Sequence, residues 1–174
     1  MNIVTLLEEI KALPNCKLHR PCGLPKLRPE HVLPEDLRIF YEHCGGFTWN
    51  QMVETTLWSS FSVLPPQQVS LANPLIAFVP QSARESCPDI SWDWYVIAHN
   101  SDRDYFTIDL HPARLGRCYD SFYEIHASPG NTPILGFSFN EFLARMLRRI
   151  KSSEATNWDW EGNLGSLSLG DAYH

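Results

Sequence analysis

The sequence is short of cations. Fourteen Lys and Arg stand against twenty Asp and Glu in 174 residues, a formal net charge of −6. A nucleic-acid binder needs a basic footprint to neutralise phosphates, and this chain has no cationic excess from which to build one. Long apolar runs are missing too: none approaches the ~20 residues that a membrane-crossing helix requires. The opening segment, Met1 to Ile10, carries Glu8 and Glu9 and lacks the basic-then-apolar order of a secretory signal. The expected location is therefore cytoplasmic. Cysteine is present without a framework: Cys16, Cys22, Cys44, Cys87 and Cys118 are an odd number at irregular spacing. They read as reduced thiols, mostly buried small hydrophobes, and not as disulfide partners. There is no serine nucleophile elbow, Walker loop, GxGxxG or internal repeat.

What is present is an ordinary globular composition, 44% hydrophobic and 20% charged. A chain of this length forms one domain and buries about 70% of its unfolded surface, enough for a core without staples. Tryptophan is the compositional surplus. The six are Trp49, Trp58, Trp92, Trp94, Trp158 and Trp160. Tryptophan is enriched in interfaces as well as in cores, and core packing is the expectation for at least half of them.

Two well-punctuated helices frame the chain. The first reads Leu33-Pro34-Glu35-Asp36-Leu37 onward to Gly45-Gly46. Pro34 suits a first helical position, Glu35 and Asp36 complement the helix dipole, and Leu37, Phe40, Tyr41 and Cys44 form an apolar stripe. Gly45-Gly46 supplies a left-handed C-cap over a helix at 34–44. The second runs from Ser138 to Ile150, with Glu141 three positions after Ser138 as a capping box. Its stripe is Phe142, Leu143, Met146, Leu147 and Ile150, and Arg145, Arg148, Arg149 and Lys151 are expected to face solvent. An N-terminal amphipathic helix is expected over 2–13, ended by Pro14. Residues 15–32 read as an irregular, proline-punctuated connection.

Between the helices lie strands. Residues 47–64 hold one or two, and 67–90 are ambiguous because Pro74 and Pro80 limit any helix. Trp94–Ala98 and Tyr105–Leu110 read as a hairpin around a polar turn. Residues 117–125 form a further strand, and Pro129-Gly130-Asn131 marks a turn. The end of the chain, 152–174, has four acidic residues, three glycines and no Lys or Arg. It reads as an acidic, Trp-containing tail to a single domain spanning 1–151, with Trp158, Trp160, Leu164, Leu167 and Leu169 arguing that part of it docks.

These pieces together resemble the SUKH superfamily, in its Smi/Knr-type branch of cell-wall regulators and bacterial immunity proteins. The leucine-proline helix from Leu33 to Tyr41, followed by Gly45-Gly46, matches the family's Asn-Gly-Gly-terminated helix, with Cys44 where asparagine is common. Tyr95–Leu110, with Asp109 after its second apolar run, matches the central hairpin, with Arg103 where glycine is common. Arg117–Glu124 is similar to the next strand. Ser138-Phe139-Asn140-Glu141-Phe142-Leu143 is similar to the closing Ser-Phe-x-Glu-Phe-Leu helix start. The resemblance covers roughly 30–150, and the tail has no counterpart in it. It implies an α+β fold, a largely antiparallel sheet with helices packed around it. It also implies a non-enzymatic binding role: an immunity protein that binds and occludes a cognate toxin, often a nuclease, or else a regulatory scaffold for a cellular protein.

Candidate sites follow from the residues. Asp93, Glu154, Asp159, Glu161 and Asp171 lie beside Trp92, Trp94, Trp158 and Trp160. Acidic groups around aromatic anchors suit a basic protein partner, because the rings supply contact area and the charges steer the encounter. The binding expectation therefore rests on Trp92, Asp93, Trp94, Glu154, Trp158, Asp159, Trp160 and Glu161. The competing expectation is that Trp158 and Trp160 merely pin the tail to the domain. A different class of function, a small metal-dependent hydrolase, would use His99, Asp102, Asp104, Asp109 and His111 around the hairpin. Asp, Asn and Ser also simply favour turns. Cys16-x-x-His19-x-x-Cys22 has metal-like spacing, with His31 and His43-Cys44 as the nearest further ligands, but no second such pair completes a zinc site. Cys118 and Cys44 lie in apolar-patterned segments, where a buried thiol is favoured over a reactive one. No cofactor, metal or membrane partner is expected.

Overall fold

Asn2 opens the first helix by accepting the Thr5 N–H at 2.8 Å, and Ile3, Leu6, Leu7 and Ile10 make its buried side. The computed structural model describes residues 2–52, 58–86, 89–101, 104–152 and 164–171. Its helices are α1 (Ile3–Lys11), α2 (Glu35–His43), α3 (Ala72–Ile76) and α4 (Phe139–Lys151). Its strands are β1 (Cys16–Leu18), β2 (Phe47–Met52), β3 (Trp58–Val63), β4 (Ser70–Leu71), β5 (Trp94–Asn100), β6 (Tyr105–Asp109), β7 (Cys118–Ser121) and β8 (Ile134–Gly136). All strand pairs are antiparallel, in the order β1-β2-β3-β5-β6-β7-β8, with β4 pairing the first half of β5. The architecture is α+β.

One face of the sheet is covered by α1, α2 and α4. Alternation along the strands sends Phe47, Phe61 and Phe106 to that side, where they meet aromatics of the helices. Phe61 and Phe106 both contact Phe142, with ring centroids 6.3 and 5.8 Å away, and Phe40 lies 5.1 Å from Phe139 edge-on. Burying each such ring contributes about 1.5–3 kcal/mol, and an edge-to-face pair adds roughly 0.5–1.5. The other face is covered over β5–β8 by α3 and the 122–133 segment. There Trp94 stacks on Tyr119, and the Thr107 and Ser121 hydroxyls bond at 2.7 Å.

Several boundaries differ from those read in the sequence. Residues 15–32 are not wholly irregular: β1 pairs β2, held further by the His19 N–H to Gly46 O and the Gly45 N–H to His19 O, both 2.9 Å. That close approach explains Gly45, because a Cβ there would lie 2.1 Å from the Arg20 carbonyl oxygen. The expected left-handed C-cap is absent: α2 ends at Cys44 in an extended conformation, and only Gly46, at φ +99°, uses the left-handed region. Pro34 sits at the N-cap, one position before the helix. The capping box of α4 is formed one residue out of its expected register. Ser138 Oγ accepts the Glu141 N–H at 3.1 Å, while the Glu141 carboxylate accepts the Phe137 N–H at 2.9 Å. Arg148 and Lys151 are exposed as expected, but Arg145 and Arg149 are half-buried. β7 stops at Ser121, Phe122 is irregular, and Ile125 belongs to a turn.

The end of the chain returns to the sheet. Leu164 and Leu167 donate N–H bonds to Ile134 and Thr132 at 2.9 and 2.8 Å, and Leu167 is fully buried. Cys44 and Cys118 are buried, whereas Cys22 is exposed, and the four described cysteines are free thiols. No helix among the described residues is long and apolar enough to cross a membrane.

Candidate partner-binding site

Asp89 accepts the Ser91 N–H at 2.7 Å and starts a 3-10 turn over Ile90–Asp93, which feeds directly into β5. Residues 94–98 of that strand are all buried, because the helices cover one face and the α3 layer the other. Trp92 is 3% exposed and Trp94 is 0% exposed. The Trp94 ring lies 4.0 Å from Tyr119 in a parallel stack, and its Nε1–H donates to Asp109 at 3.0 Å. This corrects the expectation that Trp92 and Trp94 are anchors on a partner-facing surface. A ring without accessible area cannot add contact area, and these two hold the domain together.

Asp93 is likewise inside, as the hub of an ion network. Its Oδ1 accepts from His31 Nε2 at 3.0 Å and from an Arg84 nitrogen at 2.9 Å, and its Oδ2 lies 3.6 Å from Arg114. Arg114 Nε in turn donates to Asp109 at 2.7 Å. His31 Nδ1 is 3.0 Å from the Tyr95 hydroxyl, whose oxygen accepts the Arg28 N–H at 3.1 Å. A carboxylate only accepts, so Nε2 carries the hydrogen given to Asp93. Burial pushes the Tyr95 phenol and the Asp109 carboxyl above their ordinary ranges, the latter against the pull of Arg114 and the His111 N–H. The network ties residues 28–31, 84, 93–95 and 109–114 into one body. A His–Asp pair closed off this way fixes loops and presents no nucleophile to solvent.

The hairpin cluster is pulled apart. Asp109 and His99 sit at opposite ends of the β5–β6 hairpin, paired with Trp94 and Tyr105 respectively. Four residues of strand separate those levels, roughly 14 Å. Asp104 clamps the turn by accepting from Asn100 Nδ2 at 2.8 Å, and His111 caps the 3-10 turn Pro112–Arg114 through the Ala113 N–H. Asp102 lies outside the described residues. Among the described residues no three His, Cys, Asp or Glu side chains converge as a metal site, the Cys16–His19–Cys22 segment included. Burial raises the Cys16 thiol to about 11, away from reactivity.

Glu154, Trp158, Asp159, Trp160 and Glu161 also lie outside the described residues. Asp171 does reach the domain, 3.4 Å from Arg117. The open surfaces among the described residues include three of note. A groove of about 670 Å³ runs between Ile3, Val4, Ile39 and Leu115 where α1, α2 and α4 begin. A transverse row of Lys17, Thr48, Ser62, His99 and Tyr105 stands in direct cross-strand register on the sheet face away from the helices, continuing to Ser121 where the covering layer buries it. Third, the α3 layer carries Phe78, 86% exposed, and Tyr123, 66% exposed. Sequence reasoning missed Arg28, Arg84 and Arg114, and considered His31 only as a further zinc ligand. The available signal was Asp93 and Asp109 set inside apolar runs, where a lone acid requires cations.

The model of the SMI1 / KNR4 family (SUKH-1) matches residues 30–145. Immunity protein YokJ of Bacillus subtilis (strain 168) is 34% identical over 174 residues, covering 99% of this chain and 96% of that protein. No solved structure matches.

Proposed function

The chain belongs to the SMI1 / KNR4 family (SUKH-1), and from that membership we propose that it is an immunity protein, which binds a toxin and covers its active cleft. The observation that carries this reading is the near end-to-end likeness to immunity protein YokJ, since a match over 99% of the chain spans the partner-binding surface as well as the core. The mechanism is occlusion, so the protein performs no chemistry of its own. The buried Asp93–His31–Tyr95 network supports this reading, because it fixes loops and offers no open nucleophile. The toxin is a basic domain, a nuclease among the candidate classes, because a net charge of −6 accelerates encounter with a cationic partner. Its site of action is the cytoplasm. The acidic tail, with Glu154, Trp158, Asp159, Trp160 and Glu161, adds contacts to the same partner.

Growth rescue tests the proposal. A toxic domain captured with the tagged chain from its own cells is induced in a heterologous host, with and without the chain. Restored growth that depends on the chain supports immunity. Equal growth arrest in both cultures contradicts it.

A further inference from the structure

The α3 layer differs from the other surfaces in strain, exposure and charge. Phe78 is the most exposed large hydrophobe among the described residues, at 86%, and it stands at φ +55°. An L-residue with an aromatic side chain rarely adopts that left-handed conformation, and such a residue persists only where its surroundings impose it. Here the Ala77 and Val79 N–H groups both donate to the Asn73 carbonyl, at 3.1 and 3.3 Å, and wrap the chain around the end of α3. Folding gains little from the ring, because the ring stays in water. A strained backbone that presents a bare aromatic is what a binding anchor needs, since the ring is held in place before the partner arrives.

The neighbourhood fits. Leu75 of α3 is 39% exposed. The adjoining 122–128 loop is fastened to α3 by His126 Nε2 and Asn73 Oδ1 at 2.9 Å, and it presents Tyr123 and Glu124 to solvent. The loop contains a second left-handed non-glycine residue, Ala127 at φ +57°. Glu85 and Glu124 are exposed, and Asp89 lies close enough to act on the His126 ring. The cations on this side are paired, Arg84 with Asp93 and Glu30 and Arg117 with Asp171. The cations Arg145, Arg148, Arg149 and Lys151 all lie on α4, across the sheet. The one aromatic of the cross-strand polar row, Tyr105, is partly packed into the core, and nothing in the groove at the helix starts selects an occupant.

We propose that the toxin docks on the layer formed by α3 and the 122–128 loop, with Phe78 as the central anchor and a cationic protein surface opposite. This rests on the immunity reading and assigns its interface. Acidic side chains around a rigid aromatic supply steering and contact area on one patch, remote from the basic helix face.

The test uses the full chain and an active-site-inactivated form of the toxin domain identified by the growth-rescue experiment, by titration calorimetry. F78A is expected to weaken binding at least about 30-fold, the loss that marks a hot spot. L75S and Y123S are expected to lose less, and added salt to weaken the wild-type complex. F78G relieves the left-handed strain, so its Tm is expected to hold or to rise by about 2–4 °C while binding is lost. Folding and binding are thereby read separately. Wild-type affinity in F78A, L75S and Y123S would overturn the interface and leave immunity standing. Loss of affinity in W158A/W160A alone would do the same, by moving the anchor to the tail. A wild-type chain that fails to bind the toxin domain would overturn the immunity reading itself, and the interface with it.

Discussion

Arg114→Met isolates the clamp that the network provides. Arg114 is nearly buried, and its Nε lies 2.7 Å from Asp109, which is 0% exposed. Methionine keeps the aliphatic bulk and removes the cation, leaving the carboxylate without its countercharge. Breaking a buried pair from one side costs about 3–5 kcal/mol. The Trp94 indole and the His111 N–H still donate to Asp109, so the lower end applies, about 3 kcal/mol. Asp93 loses only the 3.6 Å contact and keeps His31 and Arg84, which adds little. For a chain of this size that corresponds to a fall in Tm of roughly 6–12 °C. Asp109→Asn in the same background removes the stranded charge and restores most of the loss. Urea unfolding of the wild type, both single variants and the double variant measures the coupling. An R114M variant within about 1 kcal/mol of wild type, or a double variant no better than the sum of the singles, would refute the clamp.

Three further outcomes follow from local geometry. Gly45→Ala drives a Cβ to 2.1 Å from a carbonyl oxygen. It should cost on the order of 3 kcal/mol in urea unfolding, and a neutral result would show that the 15–32 segment yields easily. His126 is held neutral by burial, its ring pulled down to about 4 with Asp89 opposing, and among the described residues its Nδ1 has no hydrogen-bond partner. A histidine depressed in the folded state leaves the unfolded chain binding the extra proton, so stability falls as pH drops from about 6.5 to 4, by up to about 3 kcal/mol. His126→Phe should flatten that slope relative to wild type; identical pH profiles would show that carboxylates alone carry it. Trp158→Ala with Trp160→Ala should weaken the toxin complex by about tenfold while unfolding stays cooperative, and unchanged calorimetric affinity would remove the tail from the interface.

The helices were legible because their signals are local. Glu35 and Asp36, the Ser138–Glu141 pair and the apolar stripes act within one or two turns. The β5–β6 hairpin was legible for the same reason. β1 was not, because three residues in a proline-rich stretch become a strand only when β2 and Gly46 present a partner edge. β4, α3 and β8 are short for their patterns to register, and they form because the central strands need covering. The acid beside two tryptophans at 92–94 misled, since Trp and Asp beside each other look alike in a core and on a surface. What separates the two cases is distant in sequence: His31, Arg84 and Arg114 converging on Asp93. Phe78 gave no signal at all, because its exposure and its left-handed backbone exist only once α3 has folded.

The central claim is stoichiometric occlusion, and a titration of toxin activity tests it most directly. A fixed amount of the toxin domain whose growth arrest the chain relieves is mixed with increasing amounts of the chain, and residual activity is recorded before and after the two are separated. The account predicts a linear fall that ends at one chain per toxin, with full activity recovered on separation. Inactivation by a small fraction of an equivalent, or activity that does not return, would mean that the chain acts on the toxin catalytically and would contradict the account.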